Sequence, residues 1–209
     1  MARTLFATVL LALMVNAQAI IYGVVRPGFV APRRVTVIRG HRHLLAENNP
    51  ASTCTTLEQL VYNKPEWSGL RSLADGLSRS MKDEILRDAG SDFTFFAPTN
   101  GAVTNLESAL DKAEPNGAKM LASNSTAIDA VLRYHFVPGR EIKNAENLRQ
   151  GAQLKTLLNE APPLMVRREG QNEYIDAVGS EAKVAGEAIP VCGGSVIPVD
   201  EVLLPMRGQ

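Results

Sequence analysis

Apolar residues fall at helical spacing in the first half of the ordered-looking chain and at strand spacing in the second. Leu57, Leu60 and Val61 form one short apolar face. Leu70, Leu73, Ala74 and Leu77 form another at i, i+3, i+4 and i+7, one side of a 3.6-residue helix. Ile85 and Leu86 belong to a third short helix that Gly90 terminates. The stretch FTFFAPTNGAV, residues 93–103, then breaks the period, with half of the chain's 6 phenylalanines inside four residues. Phe93, Thr94, Phe95 and Phe96 read as a buried strand, because aromatic and β-branched residues fit a pleated surface. Pro98 lacks a ladder donor and ends it, and Thr99 or Asn100 caps the helix that follows.

Helices are expected over residues 100–110 and 126–134, the second with Ile128, Val131 and Leu132 inward. Residues 135–137 read as a strand closed by Pro138-Gly139. Short runs at 154–158, 164–168, 174–178, 183–185 and 195–204 read as further strands between turn residues. Helices first and strands later give an α+β domain.

The first 19 residues stand apart. Arg3, the apolar run from Leu5 to Val15, and Ala17-Gln18-Ala19 read as a secretory signal peptide cut after Ala19. The rival reading is a membrane-spanning segment continued by Ile20, Ile21, Val24 and Val25. Asn16, Gln18 and the arginines that follow argue against it. Residues 20–50 lack sustained periodicity and form an arm, followed by a domain over 51–206 and a tail at 207–209.

The net charge of zero hides an asymmetry. Residues 1–46 contain no acid but six arginines, and the rest of the chain carries a net −6. Arg26, Arg33, Arg34, Arg39 and Arg42 suit contact with a polyanion such as an acidic polysaccharide. A solvated leader, or a propeptide cut near Arg33-Arg34, accounts for them too and is preferred. Nucleic acid is disfavoured, because no aromatics are interleaved with the arginines. In an exported protein the two cysteines, Cys54 and Cys192, are expected to pair rather than to supply a catalytic thiol. Closing that loop is worth about 4–5 kcal/mol in the chain-entropy treatment.

Three segments, in this order and spacing, resemble a fasciclin (FAS1) domain: FTFFAPTNGAV, then VLRYHFVPG at 131–139, then SVIPVDEVLLP at 195–205. LKTLLNEAPPLMV and VGSEAKV resemble the ladder of short strands between the last two boxes, and the resemblance covers roughly residues 54–205. It implies N-terminal helices packed on a C-terminal wedge of short-stranded sheets, as in secreted and cell-surface adhesion proteins. Departures fall at Gly101, Val103, Ile197 and Pro198. The Pro-Val-Asp box and the framing cysteines are similar to plant and green-algal members.

No Gly-x-Ser-x-Gly elbow, phosphate loop, dinucleotide fingerprint or His-Glu-x-x-His is present, so an enzyme is not expected and no cofactor is implied. His41-Arg42-His43 has no acid or thiol beside it and makes a poor metal site. Cys192-Gly193-Gly194-Ser195 resembles a nucleophile loop only if the cysteine is free. Tyr134 and His135 are the candidate adhesion segment that the resemblance implies. The competing and preferred reading buries His135 under the next strand and uses Tyr134 to close the helix. Asp200 is expected to accept backbone hydrogen bonds rather than to act in catalysis. Asn124-Ser125-Thr126 is an N-glycosylation sequon, with Ser125 or Thr126 as a competing helix cap. Trp67 reads as a packing anchor at a helix start.

The expectation is therefore a secreted, single-domain adhesion protein of extracellular matrix or cell wall. Its partners would be matrix polysaccharides or cell-surface proteins. LLPMRGQ lacks the apolar tail of a lipid-anchor signal, so no stable membrane anchor is expected. Bridging two surfaces would need a homodimer or the basic arm. A small-ligand carrier with an apolar groove is the first alternative, and a cryptic enzyme the second.

Overall fold

The computed structural model describes residues 54–87, 92–139, 142 and 147–205. The arm arginines, His41, His43, the leader, Gly90 and the tail lie outside them. Helix α1 (Leu57–Asn63) begins with a capping box. The Thr56 hydroxyl accepts from Gln59 N–H at 3.1 Å, and the Gln59 side chain accepts from Thr56 N–H at 3.0 Å. A 3-10 turn, Pro65–Trp67, leads into α2 (Ser68–Asp75), whose Leu70, Leu73 and Ala74 are buried. Trp67 is 4% exposed and anchors the start of α2, although its indole N–H finds no acceptor among the described residues. Ser78 caps a single turn, α3 (Arg79–Met81), which widens into a π turn over Lys82–Arg87.

Strand β1 (Phe93–Pro98) is buried at every position because both of its faces are covered. Phe93, Phe95 and Ala97 join the core formed largely by the helices, whereas Phe96 points into a second core formed largely by the strands. The phenylalanine cluster is thus the partition between two cores. Thr99 caps α4 (Asn100–Ala113) by accepting from Ala102 N–H at 3.3 Å. Asn100 Oδ1 instead accepts from Gly69 N–H at 2.7 Å and ties α4 to α2. Helix α5 (Gly117–Ala122) packs so tightly on α4 that a Cβ at Gly117 would lie 2.4 Å from the Leu110 carbonyl oxygen. Helix α6 (Ser125–His135) follows, and then the strands β2 (Phe136–Val137), β3 (Gln153–Leu154), β4 (Leu164–Glu169), β5 (Asn172–Asp176), β6 (Glu181–Lys183), β7 (Ile189–Val191) and β8 (Gly194–Val199).

The strands form two four-stranded sheets, ordered β2-β1-β8-β7 and β3-β4-β5-β6. Strands β1 and β8 run parallel, from Phe93 opposite Gly194 to Pro98 opposite Val199. The other pairs are antiparallel, and a bridge between Val184 and Val199 links the sheets. The buried pair Thr94 and Ser195 is satisfied through Ile142: Thr94 Oγ1 accepts from its N–H and Ser195 Oγ donates to its carbonyl, each at 2.9 Å.

Several boundaries differ from the sequence reading: α2 ends at Asp75, short of Leu77, helix α5 is unforeseen, and β5 and β6 each lie two residues earlier than read. His135 ends α6 rather than opening a strand, because the helix runs on to its cap at Phe136. Residues 155–158 leave the ladder after Leu154, and Leu157 N–H turns to the Phe136 carbonyl at 2.8 Å. The closing strand stops at Val199. The buried residues beyond it satisfy their backbone without a ladder: Leu203 N–H goes to a histidine ring and Leu204 N–H to Ser180 Oγ. Strand β7, unforeseen in the sequence, pairs with β8 across a Cys192-Gly193 turn with Gly193 at φ +79°. That turn is what the Cys-Gly-Gly-Ser run builds. A Cβ at Gly194 would lie 2.4 Å from the Phe93 carbonyl oxygen, so only glycine fits.

Candidate functional site

The end of α6 carries the residues singled out for adhesion. Tyr134 and His135 are both 0% exposed, which corrects any reading of either as an outward contact. Helical geometry is the reason: β2 pairs with β1 immediately after His135, so both side chains are folded under the sheets. The Tyr134 hydroxyl donates to the Pro162 carbonyl at 3.0 Å. Burial raises its pKa, and a backbone hydrogen bond from Val178 offsets part of that.

His135 has both ring nitrogens engaged. Nδ1 lies 2.7 Å from the Val131 carbonyl oxygen and Nε2 lies 2.9 Å from Leu203 N. A carbonyl can only accept and a backbone amide can only donate, so the ring is neutral with its proton on Nδ1. Burial lowers its pKa to about 4, against a smaller opposing effect of the Val131 carbonyl. His135 therefore latches residues 202–205 to α6, and neither nitrogen is free to act as a base. It is the one histidine among the described residues.

Cys54 and Cys192 are joined, with Cα atoms 5.2 Å apart across a separation of 138 residues. Cys192 N–H also donates to the Thr55 carbonyl at 2.9 Å, so residues 54–55 are held against the β7–β8 turn. Neither sulfur is a thiol in this state. Asp200 Oδ1 accepts from Lys183 N–H at 2.7 Å, the backbone role expected for it. Its neighbour Glu201 has a raised pKa, chiefly from burial and also from the Asp200 charge. Asn124 itself, rather than Ser125 or Thr126, caps α6, its Oδ1 accepting from Ala127 N–H at 3.1 Å. The cap uses the amide oxygen, whereas a glycan would be carried on the amide nitrogen; Ser125 and Thr126 are exposed beside it.

Two features of the second sheet were not singled out in the sequence. On its outer face Arg167 lies 4.6 Å from the Tyr174 ring centroid and pairs with Asp176, at 3.1 Å, and with Glu169 and Glu181. Its pKa is raised, first by the Asp176 hydrogen bond. Beside that face, a cleft of about 1110 Å³ opens between the β4–β5 turn and residues 184–188, lined by Arg168, Gln171, Asn172, Glu173, Lys183 and Glu187 among others. The signal that could have found it is Glu-Gly-Gln-Asn at 169–172, a turn with two amides at its tip. Among the described residues no group of three or more His, Cys, Asp and Glu is placed to hold a metal ion. Nor is any helix there long and apolar enough to cross a membrane.

A search against curated proteins gives no match. Among solved structures, a FAS1 domain pair from the insect cell adhesion molecule Fasciclin I superposes with a TM-score of 0.50 at 20% identity, over 66% of this chain and 44% of that one. The chain thus spans less than half of that structure, and the likeness is one of fold. The family description "Fasciclin domain" matches residues 68–205, which include all three boxes and most of the helices and strands described above. The chain belongs to the fasciclin domain family.

Proposed function

We propose that the protein is a secreted adhesion module of the extracellular matrix or cell wall that works by binding matrix polymers or cell-surface proteins, without turnover. Membership of an adhesion-type family supports the class of function. The observation that carries the non-catalytic part is the engagement of His135. The one histidine of the described domain holds Leu203 N–H and the Val131 carbonyl in full burial, and the cysteines are bonded to each other. The groups that sequence reading could have recruited for nucleophilic chemistry hold the fold together instead. The Cys54–Cys192 bridge and the sequon at Asn124 suit an oxidising, exported environment. Because Tyr134 and His135 are buried, contact with partners falls to the exposed surface and to the basic arm.

The test is a surface-binding measurement with the full secreted chain. Immobilised protein is presented with acidic and neutral matrix polysaccharides and with living cells, at low and at physiological salt. Retention of at least one polymer or of cells supports the proposal. Retention of neither, in both salts, refutes it. Binding that weakens steeply with salt assigns the contact to the arginine arm, because exposed charges are screened over about 8–10 Å.

A further inference from the structure

We propose that the cleft at the tip of the second sheet is a binding site for a neutral oligosaccharide segment. The proposal deepens the matrix-binding reading above by giving it a location and a ligand class.

The cleft follows from the way the sheet ends. Pairing between β5 and β6 stops at Tyr174 opposite Lys183, and the Val184 N–H bond to the Glu173 carbonyl, at 2.8 Å, is the last link. Val184 then bridges to Val199, and Ala185 N–H bonds to the Pro198 carbonyl at 2.8 Å, which draws the chain towards β8. Strand β5 meanwhile continues to Asn172 and the Gly170-Gln171 turn, where Gly170 adopts φ +62°. The two segments diverge, and the gap between them is the cleft.

Its chemistry is polar and balanced. Arg168 donates to Glu173 at 3.0 Å on one side. The side chains of Gln171, Asn172, Lys183 and Glu187 make no hydrogen bond or ion pair within the chain among the described residues. Two cations face two carboxylates, so the cleft does not select for ligand charge. Its side-chain amides donate and accept, its carboxylate accepts and its ammonium donates, and sugar hydroxyls can meet all three. Val184, Ala185 and Ala188 add a smaller apolar share to the lining. The cleft, of about 1110 Å³, is open to solvent rather than enclosed. An open trough of that size suits a stretch of polymer lying across it. Tyr174 is already covered by Arg167, so recognition rests on hydrogen bonds rather than on ring stacking.

The site differs from the arm in one measurable way. A contact made through hydrogen bonds to a neutral sugar changes little with salt, whereas a polyanion on the arginine arm is released by it. The probes are neutral hexasaccharides of β-1,4-linked glucose, xylose, mannose and galactose, titrated into the full secreted chain at 50 and 300 mM salt. Amide chemical shifts are followed by NMR. The expected result is saturable, salt-insensitive binding by at least one of them, with shifts centred on residues 168–173 and 183–188. Asn172→Ala and Glu187→Ala should each weaken it about fivefold, the loss of about one hydrogen bond. Both positions are exposed, so the variants retain the fold, which an unchanged melting temperature verifies. Absence of binding by every hexasaccharide overturns the proposal, as does binding that both variants leave intact. Either result would leave matrix adhesion standing if the immobilised protein still retained polymers or cells.

Discussion

Lowering the pH tests the His135 latch directly. The folded ring has a pKa lowered to about 4, and an unfolded histidine titrates near 6.5. Between those values the unfolded chain binds a proton that the native chain refuses, so falling pH draws the equilibrium towards unfolding. Above pH 6.5 both states are neutral and the group contributes no pH dependence. Below pH 4 both are charged and the loss is complete. Over that window of about 2.5 units the loss sums to about 3 kcal/mol, a large part of the 5–15 kcal/mol typical of a whole domain. It should lower the melting temperature by on the order of 10 °C. The geometry states the cause: a second ring proton would sit on Nε2, which must accept from Leu203 N–H, and would free residues 202–205. Urea unfolding at pH 7.5, 6, 5 and 4.5 measures the loss. His135→Gln is the control, because it can accept from Leu203 N–H but does not titrate. The expected result is a pH slope between 4.5 and 6.5 that is clearly steeper in the wild type than in the control. NMR should find that the His135 ring titrates below pH 5. Equal slopes, or a ring that titrates near 6.5, would refute the reasoning.

Three further outcomes are expected. Replacing Cys54 and Cys192 by serine should cost up to about 5 kcal/mol, read as a lower urea midpoint, because the bridge closes a loop spanning 138 residues; an unchanged midpoint would show that the bridge adds nothing. Gly194→Ala should destabilise by more than about 2 kcal/mol, since the new methyl meets the Phe93 backbone in a paired strand that cannot shift cheaply; wild-type stability would contradict the register. Asn124→Asp should keep the α6 cap and lose any glycan, whereas Asn124→Ala should lose both, at about 1 kcal/mol for the cap; intact mass and thermal melting separate the two effects, and equal melting temperatures would dismiss the cap.

Much of the fold was legible because it is local. The periodicity of Leu70, Leu73, Ala74 and Leu77 places α2, and the phenylalanines followed by Pro98 and Thr99 place β1 and the start of α4. Among the elements misjudged, the closing segment has its backbone partners far along the chain. Residues 202–204 look like a strand by composition, yet their partners are a histidine ring from α6 and a serine hydroxyl from the β5–β6 connection. Strand β7 is three residues long and contains Pro190, so no local signal announces it. It exists because β8 offers it an edge.

The amino-acid sequence by itself determined the α+β order, the three family boxes, the pairing expected of its two cysteines and the lack of a recognisable catalytic motif. These depend on residue type and short spacing, which survive without knowledge of the fold. Tertiary structure alone decided that the phenylalanine strand divides two cores, that Tyr134 and His135 face inward, and that a polar cleft opens where β5 and β6 part. Each depends on which distant segment lies opposite a residue, and burial and hydrogen bonding are properties of that neighbour as much as of the residue itself.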